Sequence, residues 1–302
     1  MIEPQDIRVF YVRASFSWGF TVRYKGVSAA QPSYPIPPPT TVVGAFGYPL
    51  ARLLGLDPYD KGVEKYGKGF LISPTMKAFL ESTITASAAL VRTKGSSGGI
   101  SIYLEPGRII GLVYRTGGQL SDIKKAKIHT SEFYGRALGL MQPVQAVGSA
   151  YAPGLVLDLL WIVDAGKLVK ELGVSRESFE KAASKAVYGV VRIGSKEGLI
   201  SLHSAGYYNS VKILSAGEKF KTRFYVDARC VEPLDREYAF EIELPGIRYD
   251  TGRFYIAAQS ASQNLIIPLP EISSPPWYRV LTNCKGFVAP ISEEVVGVVL
   301  IE

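Results

Sequence analysis

The chain has 302 residues, 47% of them hydrophobic, with 34 Lys plus Arg against 27 Asp plus Glu and a formal charge of +7. That balance excludes a disordered segment, a collagen-like rod and a disulfide-stapled miniprotein, and the length leaves room for two domains or one large domain with insertions. Two cysteines, Cys230 and Cys284, cannot build a disulfide framework or a cysteine-rich zinc site, so a reducing cytoplasm is the expected setting.

Residues 1–10, MIEPQDIRVF, carry acids and a proline where an export signal has basic residues followed by an apolar stretch, so the mature chain is expected to begin at Met1. The segment 7–22, IRVFYVRASFSWGFTV, is rich in β-branched and aromatic residues and predicts a long strand or a hairpin. The character then changes. Residues 29–41, AAQPSYPIPPPTT, hold five prolines, which favour a stiff, extended loop. Thr40 or Thr41 can cap a following helix whose apolar positions Val43, Phe46, Leu50, Leu53 and Leu54 fall at helical spacing. Pro49 predicts a kink or a restart within it.

A glycine-containing loop follows, and 82–93 reads as a strand running into the Gly/Ser patch 94–99. Residues 100–116 and 124–141 read as strands, turns and exposed connections. Residues 155–163 form a buried strand with Asp158 as its only charge. Ser175 caps a helix with Phe179, Ala182, Ala183, Ala186 and Val187 on one face and Glu177 near its positive end. A strand near 199–203 completes the order strand, helix, strand, strand, helix, strand once the inserted basic region is set aside. This is the ferredoxin-like order of an α+β domain. Residues 218–302 are strand-like, with repeated proline and glycine turns. The most apolar runs, 159–163 and 295–301, fall short of the roughly 20 residues of a bilayer helix, so no membrane partner is expected.

The charge is lopsided. Residues 1–150 hold 17 basic and 9 acidic side chains, whereas 151–302 hold 17 and 18. A one-sided positive field suits a polyanion, because neutralising phosphates releases counterions. The densest excess runs over 92–136 and includes Arg92, Lys94 and Arg136; a solvated basic surface without a partner would look the same.

Four motifs are candidates for chemistry. GVEKYGKG at 62–69 has the glycines and lysine of a phosphate-binding loop but Gly69 where Ser or Thr would hold magnesium, so it reads as a connection. His129 and His203 have the chemistry of a general base and acid for metal-free RNA cleavage, although nothing in the sequence joins them. Thr40, Thr41 and the backbone N–H groups of 42–44, with Gly44 and Gly47 allowing close approach, describe a phosphate cradle; a proline-stiffened turn with an ordinary cap accounts for the same residues. Arg13, Trp18, Arg23, Tyr34 and Tyr48 lie near it in sequence and supply the cationic and stacking groups that single-stranded RNA uses, although an aromatic core explains Trp18 and Phe20 equally well. Lastly, VYGVVRIGSKEGLISLHSA at 187–205 places Arg192, Ser195 and Lys196 at a glycine-flanked turn, either a second backbone-binding turn or a plain helix stop.

The stretches QPSYPIPPPTTVVGAFGYPLARLLG and VVRIGSKEGLISLHSA, with the order of elements over residues 1 to about 210, resemble the Cas-five family of CRISPR-associated proteins, in the RAMP superfamily of repeat-associated RNA-binding proteins. The archaeal type I-A Cascade form is the nearest in flavour. The resemblance implies a ferredoxin-like (RRM-like) RNA-binding domain over 1–210 with an inserted β-hairpin thumb at about 92–136, followed by a smaller β-rich domain over 211–302. It implies a non-catalytic subunit that caps the 5′ repeat-derived handle of crRNA and contacts a Cas-seven-type backbone subunit and a Cas-eight-type large subunit, with no cofactor. Thr40 to Gly44 would hold handle phosphates, and Arg192 to Lys196 would line the same cleft. The alternative within the superfamily is a metal-independent endoribonuclease that processes precursor crRNA. At 302 residues the chain is long for the family, with the extra length assigned to the thumb and the loop around 57–77.

Overall fold

The computed structural model describes residues 6–22, 33–57, 62–67, 70–91, 102–104, 107–114, 130–133, 141–147, 149–195, 198–262, 264–269, 275–291 and 295–300. It is a mixed α/β structure built mostly of antiparallel sheets. In chain order the first part contains β1 (Ile7–Phe16), β2 (Gly19–Phe20), α1 (Pro39–Leu53), β3 (Glu64–Tyr66), β4 (Phe70–Ile72), α2 (Pro74–Glu81) and β5 (Thr83–Val91). Next come β6 (Ile102–Leu104), β7 (Gly107–Tyr114), β8 (Met141–Val147), β9 (Ala150–Tyr151), β10 (Val156–Asp164), α3 (Ala165–Leu172), α4 (Arg176–Ala186), a 3-10 turn (Val187–Gly189) and β11 (Ile200–Tyr208).

The central sheet has the order β11-β1-β10-β5, with every pair antiparallel. Alternation along β1 explains its two-sided role. Phe10, Val12, Ala14 and Phe16 enter the main core beneath the helices, while Ile7 and Val9 face the other way. β10, VLDLLWIVD, is buried at every position but its last because it lies between β1 and β5 and is covered on both faces. On the helix side the Phe10 ring lies tilted 4.8 Å from Trp161, and α1 adds Phe46, 5.9 Å from Phe10. On the opposite side Phe224, Phe287 and Ala289, from late in the chain, cover Ile7, Val9, Leu160 and Ile162.

Several expectations are corrected. The segment 7–22 is neither one strand nor a hairpin: β1 ends at Phe16, and the chain crosses through Gly19, at φ 146°, into β2, which pairs with β9 in a different sheet. Only glycine fits there, since a side chain would run into the Ala150 carbonyl. Neither threonine caps α1. The cap position is Pro38, which offers no side chain to the task, and both Thr41 and Val42 donate their N–H groups to the Pro38 carbonyl, at 2.9 and 3.1 Å. The helix does not restart at Pro49; it runs on to Leu53, with Pro49 buried against Gly189. The helix over 176–186 matches its prediction, with Ser175 Oγ accepting from Ser178 N–H at 3.2 Å and Phe179, Ala182, Ala183 and Ala186 buried. The short helices α2 and α3, capped by Ser73 and Asp164, are not among the elements the sequence predicts.

The remainder is strand-rich: β12 (Lys212–Leu214), β13 (Lys219–Lys221), β14 (Val226–Asp227), β15 (Val231–Pro233), β16 (Ala239–Pro245), β17 (Thr251–Ser262), β18 (Leu265–Pro268), β19 (Trp277–Val280), β20 (Cys284–Val288) and β21 (Val295–Leu300). Two three-stranded sheets, β12-β20-β21 and β13-β19-β15, sit here. A third sheet runs β14-β17-β18-β6-β9-β2 and therefore crosses the expected boundary at residue 210, as does the main core, which takes in Ile242, Leu244, Phe254, Ile256, Ala258 and Ile266. β7 and β8 pair as a hairpin from Gly107↔Val147 to Tyr114↔Met141, so its second strand lies beyond residue 136. Cys230 and Cys284, 54 residues apart in sequence, meet in a small core with their sulfurs 2.7 Å apart. No helix among the described residues is long and apolar enough to cross a membrane.

Candidate nucleic-acid interface

The two motifs singled out in the sequence converge on one short segment, Thr21–Val22. The glycine-flanked turn reaches it from one side: Ser195 N–H donates to the Thr21 carbonyl at 3.1 Å. Gly194, at φ 74°, permits that approach, because a Cβ there would lie 2.8 Å from the same carbonyl. The turn is closed internally by Ile193 N–H to Gly198 O at 2.9 Å and Gly198 N–H to Ser195 O at 3.0 Å, and Ile193 is buried as its anchor. The proline loop reaches the segment from the other side. Tyr34 N–H donates to the Val22 carbonyl at 3.1 Å, and Val22 N–H donates to Ser33 Oγ at 2.9 Å. A third tie holds the two motifs together, where Gly189 of the 3-10 turn packs against Pro49 of α1. The junction is therefore fixed at three places before any ligand arrives, the condition for low-cost recognition.

The proline loop is not an exposed rigid arm. Residues 33–39 are all buried, Tyr225 Oη donates to the Pro37 carbonyl at 3.2 Å, and Tyr34, at 5% exposure, belongs to the core rather than to a stacking surface. The N–H groups of 42–44 are no free cradle either. Val42 N–H is already donated to Pro38, and Val43 and Gly44 lie within the helical ladder. Exposed to solvent instead is a stripe of α1 made of the half-exposed Thr40, Thr41 and Gly44 and the exposed Tyr48. Next to it, across the Pro49–Gly189 contact, come exposed Tyr188 and Arg192. Gly44 opens onto free space, whereas Gly47 is small because Phe79 of α2 presses on it. Sequence reasoning does not single out Tyr188; the signal it offers is an aromatic falling just past the apolar face of the preceding helix.

Arg13 sits elsewhere, on the sheet face away from the helices. Its guanidinium grips Asp158 through two hydrogen bonds of 2.7 Å, and Tyr11 Oη donates to the same carboxylate at 3.0 Å. Burial, and then the negative charge of Asp158, push the Tyr11 phenol up to about 12. On the same face Ser15 Oγ lies 2.8 Å from Nε2 of the exposed His203, the residue squeezed out where the β1–β11 register shifts. Arg23, Arg92, Lys94, His129, Arg136 and Lys196 lie outside the described residues. Among the described residues no three His, Cys, Asp or Glu side chains gather into a metal-binding cluster.

These features define a class: a mixed α/β protein whose antiparallel sheet supports a pre-tied junction of helix, loop and turn, with hydroxyl, cationic and aromatic groups at its surface. No protein-family model matches the chain. Two proteins of Saccharolobus solfataricus are similar over 208 residues, 69% of this chain and 67% of theirs: CRISPR system aCascade subunit Cas5 1, at 27% identity, and CRISPR-associated protein Cas5 3, at 26%. A crystal structure of a CRISPR protein from Archaeoglobus fulgidus shares the fold over 98% of this chain and 100% of that one, with a TM-score of 0.53 and 17% identity. These likenesses support placing the chain with the Cas5 proteins of archaeal CRISPR systems.

Proposed function

We propose that this chain is a non-catalytic subunit of an archaeal type I-A Cascade surveillance complex that caps the 5′ repeat-derived handle of crRNA. The observation that carries this reading is the convergence of the Arg192–Ser195 turn and the proline loop on Thr21–Val22, beside the exposed stripe of α1. An RNA end splayed over such a junction would meet hydroxyls of Thr40 and Thr41 and the Arg192 guanidinium for its phosphates. Tyr48 and Tyr188 would offer rings for its bases. The central sheet, read as ferredoxin-like in its 4-1-3-2 order, is the support, and the β7–β8 hairpin is the thumb. In this reading a Cas-seven-type backbone subunit and a Cas-eight-type large subunit are the protein partners, and the cytoplasm is the compartment. Repeat-RNA binding measured against salt tests it. Arg192→Ala should weaken binding and make the log–log salt slope shallower by about 0.7 to 0.9. Unchanged affinity and slope in Arg192→Ala and in Thr40→Ala/Thr41→Ala would reject it.

A second reading, metal-independent cleavage of precursor crRNA, is favoured by one observation, the 2.8 Å approach of His203 to Ser15. A denaturing gel of labelled repeat RNA with EDTA present separates the two. Specific cleavage that His203→Ala abolishes, with binding retained, would replace the capping role by catalysis.

A further inference from the structure

We infer that the late part of the chain carries a second nucleic-acid site: a lysine-lined groove with Trp277 at its rim that takes a segment of single strand. The groove has a volume of about 570 Å³ and lies where β12 and β20 of one small sheet face β13 and β19 of the other. Its lining includes Lys212, Lys219, Lys221, Trp277 and Pro290, with no acidic side chain.

Register places the charges. Lys219 pairs with Arg279 and Lys221 with Trp277, so two lysines about 6.7 Å apart on one strand share a face with the indole. The intervening Phe220 and Tyr278 point the other way into the small core. Lys212 comes from β12, across the groove. Among the described residues none of the three ammonium groups has an ion-pair or hydrogen-bond partner. The nearby acids are already engaged: Glu232 with Arg279 at 3.1 Å, Asp235 with the Trp277 backbone N–H at 3.0 Å, and Glu218 with the Ser215 backbone N–H.

Three unpartnered cations converging on a concavity create a local field that disfavours the empty state and attracts a polyanion. The indole decides which polyanion. Trp277 is 42% exposed on a central strand, where burial would otherwise be expected, and a cationic groove tracking an aromatic platform is how sequence-tolerant single-strand sites are made. An acidic peptide would use the lysines but leave the ring unused. The net charge of residues 151–302 conceals the site, because the compensating acids lie outside its lining.

This inference is independent of the capping reading. The test titrates the full chain with a fluorescent 12-nucleotide oligouridylate at several salt concentrations, beside the repeat RNA. Circular dichroism melting checks that each variant folds. Lys212→Glu/Lys219→Glu/Lys221→Glu should lower oligouridylate affinity at least tenfold and make the salt slope shallower by about 2. Trp277→Ala should cost about tenfold with the slope unchanged, and Trp277→Phe should recover most of it. Folded groove variants that bind oligouridylate like the wild type overturn the inference, even where Arg192→Ala loses repeat RNA. Wild-type protein that ignores oligouridylate also overturns it, without touching the capping reading. A polyglutamate peptide that competes as well as the oligonucleotide, with Trp277→Ala neutral, overturns it in favour of an acidic protein partner.

Discussion

Two glycines one helical turn apart in α1 should respond in opposite directions to the same added methyl group. Gly44 faces open space, with nothing within 4 Å of the point a Cβ would occupy, so Gly44→Ala gains the ordinary helix preference of alanine, about 0.5–1 kcal/mol. Gly47→Ala gains the same preference but drives its Cβ to 2.7 and 2.9 Å from Cδ2 and Cε2 of Phe79. That ring cannot swing aside, because it is buried and stands edge-on to Trp161 at 5.8 Å. Overpacking of this kind costs about 1–3 kcal/mol, which exceeds the helix gain and leaves a net loss of up to about 2 kcal/mol. Urea unfolding followed by circular dichroism should therefore separate the two variants by the overpacking cost alone, about 1–3 kcal/mol, with the wild type between them. The same Gly44→Ala protein should bind repeat RNA more weakly, because the methyl group stands on the exposed stripe where a phosphate would approach. A Gly47→Ala protein as stable as wild type would refute the packing argument, and a Gly44→Ala protein that is stabilised yet binds RNA normally would remove Gly44 from the interface.

Asp158→Ala should destabilise the fold by about 2–3 kcal/mol, below the usual range for a broken buried ion pair because the Arg13 side chain is 36% exposed and can rehydrate. A double-mutant cycle with Arg13→Ala should recover about 1 kcal/mol of coupling, and strict additivity would show that the pair contributes nothing. The raised Tyr11 phenol predicts an alkaline limb. Its folded value of about 12 exceeds the unfolded 10, so the contribution is fully present below pH 10 and disappears between pH 10 and 12. Unfolding midpoints of Tyr11→Phe should fall less steeply than wild type across that window, and parallel curves would contradict the assignment. Under reducing conditions Cys230 and Cys284 should resist alkylation in the native protein at pH 8 and react on unfolding, since both are buried and burial pushes the Cys230 thiol up. Rapid native labelling counted by mass spectrometry would show that their small core opens readily.

The central frame is legible in the sequence wherever local pattern and tertiary demand agree. The unbroken apolar run of β10 and the capped, one-faced helix after Ser175 are both present as expected. The helix after the proline loop is present too and continues through Pro49 without a restart, but its cap position is Pro38, which has no side-chain acceptor, rather than a threonine. The short helices α2 and α3, each eight residues, carry too few turns for a periodic signal to emerge.

Residue chemistry along the chain determined that a strand and helix frame would form, that its first half would be cationic, and that a proline loop and a glycine turn would punctuate it. Only the tertiary structure decided that those two motifs meet at Thr21–Val22, that Tyr34 and the prolines at 35 and 37–39 are buried, and that Arg13 is held by Asp158. It also gathered Lys212, Lys219, Lys221 and Trp277 around one groove from three separate strands. The reason is physical. Periodicity and turn preference act over a few residues, whereas burial and charge pairing depend on which distant segments the sheet order brings within about 4 Å.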